Sequence, residues 1–281
     1  MKPKKTRIFA VLASAAVLTG VFAGCAGGGQ GSNTGSSSSA VVSAISASEE
    51  DMALLAAMQE AQAAQSDYDA TVVMDIQMTV DGQAQNAHTT TQTRHKGGVL
   101  YMDMIQETTA ATLESQAYVL YGGEGEGGTM YADNEGAWVE RPVTAEELAA
   151  QAESMVVYVP GGAAVTNAGS GQFNGRDATI LEYTLTGDAL VEELRATQNT
   201  ITDEAADAVR SMSVTARVYV DPETNLPLGT QSDMKEAYRV LMNTMLNSNE
   251  VEVSSATVTM TFNAWGEDVA DITLPEGVPA E

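Results

Sequence analysis

The sequence is poor in cysteine, histidine and aromatic residues. Because Cys25 is the only cysteine, the chain can form no internal disulfide and no cluster of thiolate metal ligands. Phe, Trp and Tyr make up 5% of the residues, while 14 methionines supply part of the large apolar side chains. Methionine is flexible and polarisable, and it is typical of irregular cores and of adaptable apolar pockets.

Basic residues are scarce beside acidic ones, at 13 against 38. Four of the 13 lie within the first seven residues, so the chain from Cys25 onward has nine basic and 38 acidic residues, a net charge of −29. Such a surface repels phosphate backbones and anionic lipid headgroups. We therefore expect no nucleic-acid binding and no electrostatic docking on a membrane, and solubility alone accounts for the charge.

The sequence has no recognisable catalytic or metal-binding motif. His88 and His95 are seven residues apart in an extended segment, so they would point to opposite faces, and we expect both to be exposed. No Gly-x-Ser-x-Gly nucleophile elbow is present. Residues 133–136 lack the ligand spacing of a calcium loop and predict a turn. We expect no enzyme activity, no cofactor and no metal.

The amino terminus is typical of an export signal. Residues 1–7 are basic, and residues 8–18 form an uncharged, mostly apolar run of 11 residues. That run is too short to span a bilayer, which needs about 20 residues, but it has the length of a signal-peptide core. The first residues therefore predict an exported precursor.

Residues 22–25, Phe-Ala-Gly-Cys, resemble the lipobox of bacterial lipoproteins, although Phe22 replaces the usual leucine. The resemblance implies cleavage between Gly24 and Cys25 and a thioether-linked diacylglycerol on Cys25, with acyl chains such as palmitate. Two acyl chains give stable anchoring. The alternative is an incidental cysteine in an uncleaved anchor or in an ordinary signal.

Composition divides the chain into three parts. Residues 1–24 are the predicted signal peptide, and residues 25–47 are the lipidated cysteine with a Gly/Ser-rich tether. As a flexible coil the tether would span about 25 Å. Residues 48–281 are predicted to form a single domain, since no solenoid-type repeat divides them.

The domain begins with a predicted helix and continues with predicted strands. Ser48 is a suitable N-cap for a helix that runs to about Ala64. From Tyr68 to Val80 apolar and polar residues alternate, which predicts a strand with one apolar face. Further strands are predicted at 85–94, 99–106, 113–121, 128–132, 137–140, 178–185, 213–220, 226–230, 250–262 and 271–274. Helices are predicted at 144–154, 188–197, 203–210 and 234–246, and residues 156–173 are ambiguous. Short antiparallel strands of this kind form a sheet that is covered on one side.

The lipobox, the tether, the first helix and the Met-alternating strand together resemble a family of Gram-positive surface lipoproteins. Residues 220–227 (VDPETNLP) are similar to a strand-turn-strand segment that this family shares with the LolA/LolB and LppX/LprG lipoprotein carriers. Residues 262–275 (FNAWGEDVADITLP) resemble the end of the family's domain. The resemblance implies an α+β fold with a strongly curved antiparallel sheet, an unclosed barrel whose concave face is covered by helices. In the carriers that cavity holds acyl chains.

A stripe of methionine and aliphatic residues is the one candidate binding site. It is either plain core or the lining of an adaptable apolar cavity for a lipid or another hydrophobic molecule. The candidate residues are Met74, Ile76, Met78, Met102, Met104, Leu241, Met242 and Met245. We predict a monomeric, non-enzymatic lipoprotein, anchored outside a Gram-positive cell, that binds such a ligand. The alternative is a rigid envelope module for protein interaction or sensing, without a ligand cavity.

Overall fold

The fold was analysed in a computed structural model, which describes residues 48–123, 126–134, 136–157, 159, 163, 165–197, 201–247 and 250–279. The predicted signal peptide, Gly24, Cys25 and the tether lie outside these residues. Eleven strands form one sheet: β1 (Tyr68–Val80), β2 (Gln83–Lys96), β3 (Val99–Thr108), β4 (Thr112–Tyr121), β5 (Gly128–Asn134), β6 (Ala137–Val143), β7 (Val165–Phe173), β8 (Arg176–Thr186), β9 (Ser213–Val220), β10 (Pro227–Asp233) and β11 (Glu252–Trp265). Five helices accompany it: α1 (Glu49–Ala63), α2 (Ala145–Ser154), α3 (Gly187–Thr197), α4 (Asp203–Arg210) and α5 (Lys235–Leu246).

The sheet consists of two antiparallel meanders that join at its centre. Its strand order is β6-β5-β4-β3-β2-β1-β11-β10-β9-β8-β7. The first and last strands pair antiparallel, with Tyr68 opposite Trp265 and Met74 opposite Val258. Because the edge strands β6 and β7 do not pair with each other, the barrel stays open. This confirms the predicted α+β class and the unclosed, curved antiparallel sheet.

Tight turns set the register of the first meander. Asp81 and Gly82 have φ values of 51° and 73°, and Gly97 and Gly98 have values of 58° and 80°. Two consecutive positive φ angles define a type I′ turn, whose twist matches that of the flanking strands. The Asp-Gly and Gly-Gly pairs therefore place β1, β2 and β3 side by side.

The helices cover the concave face, as expected. Ser48 caps α1 in a capping box, accepting a hydrogen bond from the Asp51 amide at 3.1 Å, and Thr202 caps α4 in a similar way. Helices α1, α3, α4 and α5 pack on β1, β7, β8, β9 and β11 through one apolar cluster, here called the main cluster. Its fully buried members include Met58, Leu181, Leu190, Leu194, Val218 and Leu241.

A second apolar cluster lies on the same face beneath α2. This small cluster consists of Leu100, Met102, Ala117, Val119, Met130, Val143 and Leu148. Tyr68 packs against both clusters and so connects them at one end of the concave face. The concave face is therefore divided into two apolar areas rather than one continuous core.

The strand predicted at 271–274 is wrong, and so is the expectation that the convex face is bare. Both edges of β11 are already paired, with β1 and β10, so the segment that follows β11 finds no free edge there. Residues 269–279, here called the strap, instead cross the convex face of β3–β6. Their inward side chains Ile272, Leu274 and Val278 pack on the rings of Tyr118, Tyr131 and Trp138.

Residues 156–173, which the sequence left ambiguous, contain the edge strand β7, paired with β8 through a bulge between Asn167 and Gly169. The glycine-rich composition hid this strand because it has few apolar residues to alternate. Among the described helices, none has the length and apolarity needed to cross a bilayer.

Alkaline pH is expected to destabilise the region beneath the strap. Burial raises the pKa of Tyr101 to about 12, and the nearby charge of Asp103 adds to the rise. The folded state therefore holds this proton more tightly than the unfolded chain, so the stabilisation is complete below pH 10 and is lost as the pH rises through about 12. We expect the stability of Tyr101→Phe to fall less than that of the wild type between about pH 10 and about pH 12, measured by urea unfolding. An equal loss in the two proteins would contradict this assignment.

Candidate functional site

The predicted cavity residues do not share a single cluster. Met74, Ile76 and Met78 on β1 lie in the main cluster together with Leu241 and Met242 on α5. Met245 is partly buried and packs against the same cluster. Met102 belongs to the small cluster, and Met104, 9% exposed, lies in the sheet between the two. The structure thus brings six of the eight together, and a ligand cavity among them stays a prediction.

The contact between sheet and helix in the main cluster is specific. Tyr238 of α5 is fully buried, and its hydroxyl donates a hydrogen bond to Sδ of Met74 at 3.3 Å. A buried hydroxyl without an acceptor is costly, so this bond fixes the position of α5 over β1. This part of the methionine stripe serves as packed core.

A polar seam runs between the two clusters along β2, β3 and β4. The seam consists of the concave-face residues Thr89, Thr91, Thr93, Met104, Gln106 and Ser115. They face one another by strand register, with Gln106 opposite Thr89 and with Met104 between Thr91 and Ser115. The seam carries no charged side chain, so it interrupts an apolar surface with uncharged hydrogen-bonding groups only.

Two polar atoms of the seam have no hydrogen-bond partner among the described residues. Gln106 is 0% exposed; its Nε2 donates a long bond of 3.5 Å to Thr89 Oγ1, but its Oε1 accepts none. Ser115 Oγ is also buried without a partner. An unsatisfied buried polar group costs about 1–3 kcal/mol. The seam is therefore suited to a molecule that brings an uncharged donor or acceptor into an otherwise apolar surrounding.

His95 closes the end of the seam near Tyr68. Its ring stacks on Tyr68 with centroids 5.9 Å apart and lies 5.1 Å from that of Tyr121. Its Nδ1 lies 2.8 Å from the Ser66 carbonyl oxygen, and its side chain is 14% exposed. The expectation of an exposed His95 is therefore wrong, because the two tyrosines cover the ring. His88 does lie on the opposite face, as predicted.

The sequence signal for the seam is partial. Thr89, Thr91 and Thr93 alternate with period two, and that pattern places them on one face of β2. The sequence could not show that this face is buried, because the strand reads as polar and solvent-facing. Nor could it single out Gln106 and Ser115, since their neighbours come from other strands.

The other polar constellations are structural. Gly136 donates its amide to Asp133 Oδ1 at 2.8 Å, which confirms the predicted turn between β5 and β6. In the part of the chain that the structure describes, no three His, Cys, Asp or Glu side chains come together as metal ligands.

The open antiparallel sheet with helices on one face agrees with the fold that the sequence resemblance implied. No family model matches the chain, and no curated protein matches it. Among solved structures, LprF from Mycobacterium bovis is similar, with a TM-score of 0.43 and 11% identity over 83% of this chain and 100% of that one. The lipoprotein LppX from Mycobacterium tuberculosis has a TM-score of 0.40 and 13% identity over 79% and 99%. A DUF1329 family protein from Desulfovibrio piger has a TM-score of 0.28 and 11% identity over 80% and 96%. These likenesses concern the fold and carry no information about ligand or activity.

Proposed function

We propose that this protein is a non-enzymatic, extracytoplasmic lipoprotein whose domain binds a hydrophobic molecule bearing an uncharged polar group. The observation that carries the proposal is the fully buried amide of Gln106, whose Oε1 accepts no hydrogen bond from any residue that the structure describes. A ligand hydroxyl or amide that donates to this oxygen would remove the cost of burying it unsatisfied.

The surroundings of Gln106 set the character of the ligand. Met104 is the neighbour of Gln106 on the same face of β3, and Met102 is the next residue along that face; their flexible thioethers adapt to chains of different shape. Ser115 can donate to a ligand carbonyl or accept from a hydroxyl. Since the seam has no charged side chain, a charged headgroup would find no counter-charge there. A lipid or similar molecule with an uncharged polar group fits best.

The proposed location rests on the amino-terminal residues. The basic start, the short apolar run at 8–18 and the lipobox-like residues 22–25 support export and acylation of Cys25. We propose that the acylated cysteine holds a monomer at the outer face of a Gram-positive cell membrane. The tether would then keep the strongly acidic domain away from the anionic lipid surface.

The test of the binding proposal is the variant Gln106→Met, which keeps the volume of the side chain but removes the amide. The probe is N-phenyl-1-naphthylamine, an apolar fluorophore with one N–H donor. We expect the wild type to take up the probe and the variant to bind it about three- to tenfold more weakly, the effect of one lost hydrogen bond. The free energy of unfolding of the probe-free variant should equal or exceed that of the wild type.

The matched control is Gln116→Met, an exposed position on the opposite face of β4. It should leave probe binding unchanged. Equal affinity of the wild type and Gln106→Met for the probe would contradict the assignment of the seam as the site.

The second candidate is a rigid module for protein interaction or sensing. It is favoured by the close packing of the predicted cavity residues, since Leu241 is 0% exposed and Met102 is 2% exposed. Native mass spectrometry of residues 40–281 separates the two candidates. A lipid that co-purifies with the protein supports the ligand-binding proposal. A mass equal to that of the protein alone, combined with no uptake of the probe, supports the rigid module.

A further inference from the structure

An aromatic groove lies on the convex face, on the side of the sheet away from the polar seam. It consists of Tyr101, Tyr118, Tyr131, Trp138 and Leu120, contributed by β3–β6. The rings of Tyr101 and Tyr118 are 5.0 Å apart, and Trp138 meets Tyr118 edge to face at 5.4 Å. Soluble proteins rarely leave a large contiguous apolar patch exposed, and here the strap covers this one.

Side-chain contacts hold the strap in this groove. The backbone hydrogen bonds of residues 269–279 within the described structure are local, from Val269 to Gly266 and from Val278 to Pro275, and none reaches a strand. Ile272, Leu274 and Val278 provide the apolar contacts. Because no backbone hydrogen bond joins the strap to a strand, the strap can dissociate from the groove while the sheet stays intact.

The strap has the chemistry of a docking peptide. Pro275 and Pro279 bracket a turn in which Gly277 has a φ of 95° and lies close against Trp138. Extended proline-containing segments bind aromatic-lined grooves because their backbone loses little entropy on binding. A cleft of about 160 Å³ adjoins Pro279 between Leu120 and Tyr131.

The strap and the strand surface beneath it both carry negative charge. Asp271 and Glu276 are exposed on the strap, and the strands beneath it present Asp103 and Glu140 on the same convex face. The nearby cation Arg94 is paired with Asp69 at 2.8 Å. Like charges around an apolar contact weaken it, so a segment with basic residues would suit the groove better than the strap does.

We propose that the aromatic groove is a docking site for an extended, proline-containing aliphatic segment with basic residues, contributed by a partner protein. The strap occupies the groove in cis and acts as an intramolecular competitor. A partner therefore binds only when its segment displaces residues 269–279. This site is separate from the polar seam and does not depend on ligand binding there.

The experiment uses the full-length protein with an opened strap, made by Leu274→Ser together with Val278→Ser. Two fluorescein-labelled peptides serve as probes, one with the sequence of residues 270–281 and one in which the positions of Asp271 and Glu276 carry lysine. By fluorescence anisotropy at low salt, we expect the opened protein to bind the lysine peptide at least about tenfold more tightly than the acidic peptide. High salt should reduce this ratio, and the intact protein should bind the lysine peptide at least about tenfold more weakly than the opened protein does.

Two variants of the opened protein, one inside the groove and one outside it, complete the test. Trp138→Ala should abolish peptide binding, whereas Ile105→Ala, exposed on the same face but outside the groove, should not change it. If the opened variant fails to fold by circular dichroism, Gly277→Val is used instead, since a side chain there would meet Trp138 and lift the strap alone.

Three results would overturn the proposal. The first is a folded, opened protein that binds neither peptide. The second is equal affinity for the acidic and the lysine peptide. The third is a dimer of the intact protein that disappears when the strap is opened, because the groove would then belong to the strap of a second copy.

Discussion

Replacement of Cys25 by alanine is expected to abolish incorporation of radioactive fatty acid and to release the protein from the membrane fraction. The reason is that the two proposed acyl chains provide the whole anchor. Each buried methylene contributes about 0.8 kcal/mol, so two chains hold a protein stably where one gives only marginal binding. The apolar run at residues 8–18 is too short to replace them, because a spanning helix needs about 20 residues.

The measurement is metabolic labelling followed by fractionation of cells that express either protein. Gly24→Ala is the matched control, since alanine keeps the small side chain before the cut and should leave labelling and attachment intact. Equal attachment of the Cys25→Ala protein, or a wild type without label, would show that the protein is held by other means.

Substitution of Gly229 by alanine is expected to cause a large loss of folding stability. A Cβ atom at this position of β10 would lie 2.2 Å from the Met260 carbonyl oxygen and 2.6 Å from the Phe173 ring. The ring of Phe173 stacks on Tyr219 with centroids 4.5 Å apart, so it has no free space to move into. We expect Gly229→Ala to lower the free energy of unfolding by roughly 3 kcal/mol, since both a strand backbone and a packed ring must shift.

Gly171→Ala provides the contrast. Its added Cβ would meet only Ile180 Cδ1 at 2.8 Å, the end of a side chain that can rotate away. This change should stay within about 1 kcal/mol, because the smaller entropy of the unfolded chain offsets a minor clash. Urea unfolding measures the stability of both variants. For Gly229→Ala the urea concentration at the midpoint should fall, while the slope of the unfolding free energy against urea stays the same. Equal midpoints for the two variants would contradict the account of the Phe173 contact.

Local patterns were sufficient to predict most of the elements. The cap at Ser48 and the alternation from Tyr68 to Val80 depend on neighbours in sequence, and both predictions were confirmed. The burial of Asp69, in contrast, could not be predicted from a local pattern. The alternation of apolar and polar residues places Asp69 on the solvent-facing side of the strand. In the structure Asp69 is 7% exposed and accepts hydrogen bonds from Arg94 and Asn263. Those partners are 25 and 194 residues away, so no local pattern contains them.

The strap and the seam escaped prediction for the same reason. Residues 271–274 alternate like a strand, and only the pairing of both β11 edges prevents them from adding to the sheet there. Gln106 belongs to a strand that was correctly predicted, but its burial depends on what lies above the face of β3. The sequence correctly predicted that the candidate methionines face the interior. It could not predict their division into two clusters, because that division depends on the position of α2.

The pairing of β1 with β11 has a consequence for how the chain is completed. A polypeptide synthesised from its amino terminus can form the first meander early, but the central ladder must wait until residues 252–265 exist. Contacts of such long sequence separation form slowly, because a large loop must close before they are gained. One edge of the central strand thus remains unpaired until almost the entire polypeptide has been made. Delayed closure of this kind would favour the export that we propose, because a loosely structured chain passes through a translocation channel more easily than a folded one.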